Sequence, residues 1–348
     1  MKEEHYMRAV SYTQKYFLLL SCIVFTIDLF AQNLNPEEYG FRHMQTFYNG
    51  DLVDILIKSC KGEEQIKKPL FPFCQGSLPI PLIVQYEDKG KKGIYNVFVF
   101  NPDSLSKEYH LIIINKPYIP LTAEEKSLNG DMSYSDSSGK FPKKYIERNL
   151  LDYYVKRNIA VLKFLRNQSW VSKDKLVVAG HSEGSAIAAK IAYEYPQVTE
   201  LIYSSGNPLG RIVTLAARAR VNETDSSRLA ENIFRYWKNI ITDPGNINSD
   251  GDTNKETYQF SYPPPMEYLR KIKIPVLLTY GTKDFGLVNA ADYFRMEMIR
   301  LNKNNFTFKD YFGVEHNFFP LKSNGETDYD TFNWDKVAED WRKWLKDH

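Results

Sequence analysis

The chain has 348 residues, with 45 Lys and Arg against 43 Asp and Glu for a formal net charge of +2, and 43% apolar and 14% aromatic content. So balanced a charge, without a face-sized Lys/Arg stripe, argues against nucleic acid as a partner. The apolar share is enough for a sizeable core, in keeping with one main domain carrying additions. The Cys and His spacing matches no zinc pattern, so neither a metal nor a cofactor is implied.

Tyr16 to Ile27 is an apolar stretch too short to span a bilayer, preceded by Arg8 and Lys15 and followed by a cleavage-like Leu29 Phe30 Ala31 Gln32. This pattern predicts a removable signal peptide over 1–31, with Met7 as an alternative start, and export to a periplasmic or extracellular location. Leu19 Leu20 Ser21 Cys22 is a competing lipoprotein box, with only a short apolar run ahead of it. No stable membrane span is expected in the mature chain. Oxidising surroundings would favour pairing Cys60 with Cys74, the alternative being two free buried thiols.

Residues 32–80 read as an N-terminal extension, with a polar helical segment over about Pro36 to Lys61 and Pro-rich turns through Pro81. The main domain, 81–348, is expected to open with strands at Leu82–Tyr86, Tyr95–Phe100 and Tyr109–Ile114, separated by polar turns and paired antiparallel. A strand around Met132–Ser135 is also expected, although Ser and Asp dominate there. Asn149 to Gln168 carries Leu150, Tyr153, Tyr154, Ile159, Leu162 and Leu165 at helical spacing, predicting a long amphipathic helix.

The next run is the most informative. Leu176 to Ala179 has the composition of a strand buried on both faces, and Ser185 to Tyr195 that of a helix ended by Pro196. Between them stands Gly180 His181 Ser182 Glu183 Gly184. G-x-S-x-G alone arises by chance in about one chain in ten of this length. Between strand and helix it acquires meaning, because a serine on a strained turn has its hydroxyl held up at the sheet edge and the glycines remove Cβ clashes.

Val198 to Tyr203 reads as the following strand, and 207–272 as an insertion of helical and polar segments. Within it, Asn246 to Thr257 is similar to a calcium loop but has Asn in the first ligand position and Thr in the twelfth, so a polar loop is the better reading. Ile274 to Tyr280 is a strand followed by Gly281 Thr282 Lys283 Asp284, and Phe306 to Tyr311 a strand followed by Gly313 Val314 Glu315 His316. A carboxylate just past a buried strand lies where parallel sheets place their ligand sites.

With its GHSEG, YGTKD and GVEHNF segments in the order Ser, Asp, His, the chain resembles the α/β-hydrolase superfamily over roughly residues 80–348, close to the dienelactone hydrolase and prolyl oligopeptidase-like branch. The resemblance implies an α/β fold: a mostly parallel central sheet flanked by helices, with a cap insertion at about 207–272. It implies Ser182 as nucleophile, His316 as general base and Asp284 as the residue orienting the imidazole. Asp292, Asp310, Asp328 and Asp330 are rivals for the acid. Of the six histidines, His316 alone follows a strand downstream of the elbow; His5, His43, His110, His181 and His348 stand elsewhere.

The oxyanion donors expected on this resemblance are the Glu183 amide and one from the segment after His110–Ile114. Pro117 has no N–H, which leaves Lys116, with Asn115 or Tyr118 as alternatives. The Glu183 side chain is expected on the surface, solvated or salt-bridged. The implied activity is that of an exported serine hydrolase acting on a small-molecule or short-peptide acyl substrate through an acyl-enzyme. Carboxylic ester cleavage leads; a prolyl oligopeptidase-like peptidase and a non-catalytic binding protein on the same scaffold are the alternatives.

Overall fold

A hairpin opens the central sheet. Strands β1 (Arg42–Tyr48) and β2 (Asp51–Lys58) pair antiparallel around Asn49 and Gly50, whose φ values of 52° and 84° are those of a turn that follows strand twist. Val53, Ile55 and Ile57 bury one side of β2. The polar helix expected over Pro36 to Lys61 is therefore two strands, and the sheet starts within the segment read as an extension. This computed structural model describes residues 35–95, 98–248 and 251–348. The signal peptide over 1–31 and the Cys22 lipid box lie outside the described residues.

Strand β3 (Lys68–Cys74) runs through Pro69 and Pro72, the residues that give this stretch the look of a turn region. Three short strands follow in a small separate sheet of order β5-β4-β7: β4 (Ile83–Asp88), β5 (Lys91–Tyr95) and β7 (Thr122–Glu124). Between β5 and β7 come helix α1 (Asp103–Ser106) and the central strand β6 (His110–Ile114). The strands expected at Leu82–Tyr86 and from Tyr95 thus do not open the central sheet. The segment Met132–Ser135 holds turns instead of a strand, Ser133 being tied locally to Asp131.

Helices α2 (Lys143–Arg148) and α3 (Leu151–Leu165) lead to the long strand β8 (Val171–His181), helix α4 (Glu183–Glu194) and strand β9 (Glu200–Ser204). Residues 207–272 hold α5 (Arg211–Val221), α6 (Leu229–Thr242), α7 (Asn254–Gln259) and α8 (Met266–Leu269). The chain ends with β10 (Val276–Gly281), α9 (Val288–Arg300), β11 (Phe306–Tyr311) and α10 (Trp334–Lys346).

The central sheet has the order β1-β2-β6-β3-β8-β9-β10-β11, parallel from β6 to β11 and antiparallel at β1 and β2. Strand alternation divides the core between two layers. Leu70, Leu176 and Val178 pack into one cluster with Tyr154, Leu162, Ile187 and Ile191 of α3 and α4. On β3, Phe73 stacks instead with Phe98, Phe100 and Trp341, the last from α10. The connection from β3 leads to one side, to β6, and the chain then crosses back to β8 on the other. That makes the C-terminal ends of β3 and β8 the point where strand order reverses, and crevices of parallel sheets open at such points.

Cys60 and Cys74 are free thiols. Cys60 lies just past the C-terminal end of β2 and Cys74 at that of β3, and the registers of these strands put the two at opposite ends of β6, on the order of 15 Å apart at ~3.3 Å per residue. A disulfide needs Cα atoms within about 7 Å. Burial pushes the Cys74 thiol up to about 12, which keeps it protonated. Among the described residues no helix is long and apolar enough to cross a membrane.

Candidate active site

Strand β8 delivers Ser182 to the reversal point. Its backbone stands at φ 58° and ψ −125°, a conformation that costs a non-glycine residue about 1–3 kcal/mol and persists only when its surroundings enforce it. Ser182 N–H donates to the Ser204 carbonyl at 2.9 Å, fixing the turn to β9. The flanking glycines are required by close approach: a Cβ on Gly180 would lie 2.1 Å from the Gly184 oxygen, and one on Gly184 would lie 2.1 Å from the Cys74 oxygen.

Two loops bring the partners. After β10, Asp284 N–H donates to the Gly281 carbonyl at 3.1 Å, and Lys283 N–H donates to Val314 at 2.9 Å, clamping this turn to the one that carries His316. Gly281 leaves room for that contact, since a Cβ there would lie 2.3 Å from the Val314 oxygen. His316 Nε2 then stands 2.9 Å from Ser182 Oγ, and His316 Nδ1 stands 2.6 Å from Asp284 Oδ2. Asp284 is 3% exposed, so its carboxylate is shielded where it meets the ring. Ser182, His316 and Asp284, far apart in sequence, form one hydrogen-bonded line.

The rival acids lie elsewhere. Asp292 accepts from Tyr280 Oη at 2.7 Å and Asp310 faces Arg295 at 3.9 Å. In an exposed turn, Asp328 accepts from the Asp330 N–H at 3.3 Å and from Thr331 Oγ1 at 2.9 Å. The other described histidines have partners of their own: His43 meets Asp54, His110 sits between Ser59 and the Ile66 carbonyl, and His348 bonds the Trp344 carbonyl. His181 is buried against Trp334, with Nδ1 3.2 Å from Ser204 Oγ and Nε2 3.1 Å from Asn317 Oδ1. Burial, reinforced by the neighbouring His316, lowers its pKa to about 3, so the ring is neutral.

The segment after β6 does not flank Ser182, because β3 lies between β6 and β8. Asn115 Nδ2 donates to the Ile119 carbonyl at 2.7 Å, and Tyr118 Oη turns away to Asp51. Lys116 comes nearer through its side chain: Nζ donates to the Ser77 carbonyl at 3.0 Å and stands 4.0 Å from Glu183 Oε1. The loop that does flank the serine is Gln75 Gly76 Ser77, directly after β3, where a Cβ on Gly76 would lie 3.8 Å from Ser182 Cβ. The Gln75-Gly76 pair was the available signal, hidden by the reading of the preceding strand as turns.

Glu183 departs from the expected surface carboxylate. Its side chain is buried and receives Arg211 Nη1 at 2.7 Å. Arg211 also reaches Glu256 at 3.3 Å and pairs with Asp252, so residues of the calcium-like loop anchor α5, while Thr253 caps α7. Burial and the neighbouring Glu183 raise the Glu256 pKa, with Arg211 opposing. Burial lowers that of Lys116 against the attraction of Glu183 and Glu256. Among the described residues no cluster of His, Cys, Asp and Glu is arranged to hold a metal ion.

Two chambers meet at Ser182 and His316. One, of about 620 Å³, is walled by Phe73, Leu78, Ile80, Leu82, Val84 and Tyr95, several of them from the small sheet. The other, of about 130 Å³, lies beneath α5 and is lined by Tyr203, Ser205, Asn207, Arg211, Thr214 and Arg218.

No protein-family profile and no curated protein matches this sequence. Solved structures do. The chain is similar to Est1E of Butyrivibrio proteoclasticus, solved with ferulic acid bound, at a TM-score of 0.53 and 16% identity over 87% of this chain and 98% of that one. It is also similar to an acylaminoacyl peptidase of Pyrococcus horikoshii, at a TM-score of 0.50 and 15% identity over 79% of this chain, and spans 37% of that peptidase's length. Sheet order, elbow and these likenesses agree: the chain has the α/β-hydrolase fold.

Proposed function

We propose that this chain is a serine hydrolase that cleaves a carboxylic ester, thioester or amide through an acyl-enzyme on Ser182, with ester cleavage its main activity. The observation that carries the reading is the His316 ring held between Ser182 Oγ at 2.9 Å and Asp284 Oδ2 at 2.6 Å. Serine is a poor nucleophile at its own pKa. As Oγ attacks the acyl carbon, His316 Nε2 takes its proton and passes it to the leaving group; Asp284 holds the Nδ1–H tautomer and stabilises the imidazolium. Water, deprotonated by the same nitrogen, then attacks the acyl-enzyme and releases Ser182.

The tetrahedral oxygen needs donors aimed at it. The Glu183 amide, at the first turn of α4, is one, aided by the positive end of that helix. The second we assign to the Gln75–Ser77 loop in preference to Lys116, on the support of Gly76 lying against Ser182. Export belongs to the same proposal and is supported by the N-terminal apolar stretch after Arg8 and Lys15. A fluorophosphonate probe tests the enzyme reading: wild-type protein is labelled and Ser182→Ala is not. Folded wild-type protein that stays unlabelled would favour the non-catalytic binding role. A panel of acyl esters beside proline-containing peptides separates esterase from peptidase.

A further inference from the structure

The smaller chamber sets polar groups among apolar walls formed by Ala186, Leu215, Phe260 and Pro265. Tyr203 and Ser205 are 0% and 2% exposed and both line it, yet among the described residues neither Tyr203 Oη nor Ser205 Oγ has a hydrogen-bond partner. Buried hydroxyls are normally paired, because leaving one unsatisfied forfeits its hydration with nothing in return. Two together beside the reacting serine point to a group that arrives with the substrate.

The charged side chains that line the chamber include Glu183, Arg211 and Arg218. Arg211 is already committed to Glu183, Asp252 and Glu256. Arg218, one turn along α5 from Thr214, is an exposed residue at the rim of both chambers, and among the described residues its guanidinium makes no ion pair or hydrogen bond. Gly286 makes space for it, since a Cβ there would lie 2.9 Å from Arg218 Nε. One uncommitted guanidinium and two hydroxyl donors around a space of about 130 Å³ suit a compact acceptor group, a carboxylate above all. The larger chamber, with its apolar walls, suits a bulky aryl or alkyl group.

We infer that the substrate is an ester joining a bulky apolar part, seated in the larger chamber, to a compact part ending in a carboxylate, received by Arg218, Tyr203 and Ser205 in the smaller one. This rests on the serine hydrolase reading, and the test keeps the two apart. Benzyl hydrogen succinate and benzyl succinamate share an ester bond and a benzyl group and differ in carboxylate against carboxamide. Phenylacetoxyacetate and phenylacetoxyacetamide reverse the direction of the ester. Wild-type protein should favour the carboxylate member of one pair by about tenfold or more in kcat/KM, the range of a charge-assisted hydrogen bond.

That ratio should fall toward one in Arg218→Gln, recover in part in Arg218→Lys, and shrink in Tyr203→Phe. Binding of the same esters to Ser182→Ala, followed by calorimetry, should show the same preference without turnover. Wild-type protein that takes the fluorophosphonate but prefers neither carboxylate, or keeps its preference in Arg218→Gln, would overturn the inference and leave the hydrolase reading intact. Loss of fluorophosphonate labelling with the binding preference retained would do the reverse.

Discussion

Gly184 lies directly beneath the carbonyl of Cys74, so close that a Cβ on it would come within 2.1 Å of that oxygen. The contact presses the start of α4 against the end of β3 and sets the distance between Ser182 and the Gln75–Ser77 loop. Neither side of the contact is a flexible side chain. Gly184→Ala should therefore destabilise the protein by about 3 kcal/mol, the upper range for overpacking. Urea denaturation checks this, and a midpoint equal to wild type would mean that the two backbones can part without cost. Gly76→Ala is the control: its added methyl meets Ser182 Cβ at 3.8 Å, an ordinary contact, so its midpoint should stay near wild type.

Asp284→Asn should fold normally and lose about 10⁴ in kcat, because an amide favours the wrong imidazole tautomer while filling the same volume. Its KM should change little, since Asp284 is buried behind the ring. A loss below about tenfold would assign the orienting role to another group.

The ion pair between Glu183 and Arg211 joins the elbow to α5. Removing one partner from a buried pair leaves an uncompensated charge, so Arg211→Met should cost about 3–5 kcal/mol. Adding Glu183→Gln should recover part of that loss. A double-mutant cycle of thermal or urea unfolding measures the coupling, and additive effects would show that the bridge contributes nothing beyond its separate residues.

His181 makes stability depend on pH. Its folded pKa of about 3 lies below the ordinary value of 6.5, so between these limits the unfolded chain binds the proton that the folded chain refuses. Stability contributed by the neutral ring is complete above about pH 6.5 and is lost at up to about 1.4 kcal/mol per pH unit as pH falls toward 3. His181→Gln should flatten unfolding free energy against pH in that window, whatever it does to stability at neutral pH.

The three residues of the hydrogen-bonded line were legible in the sequence because each carries a local signature at the end of an apolar strand: the glycines around Ser182, and the turns that follow Tyr280 and Tyr311. The parallel strands β8 to β11 announced themselves in the same way. Strand β3 did not, since Pro69 and Pro72 read as breaks, and only its neighbours β6 and β8 show that a strand tolerates them there. The β1–β2 hairpin was encoded by Asn49-Gly50 between alternating residues, but the surrounding polar positions suit an exposed helix equally well. Reading β3 as turns hid the Gln75–Ser77 loop that flanks Ser182. The Glu183 ion pair with Arg211 depends on how α5 folds over the elbow, which no local pattern reports.

The walls of the two chambers come from unrelated stretches of chain. In the small sheet, β4 and β5 are looped out between β3 and β6 and β7 between β6 and β8, whereas α5 is looped out between β9 and β10. Each excursion leaves and rejoins the same rigid platform without passing through Ser182, Asp284 or His316. On the proposed function, the two ends of a substrate would be inspected by separately encoded modules, so that drift or grafting in one could retune its preference while the other, and the hydrogen-bonded line between them, stayed as it was.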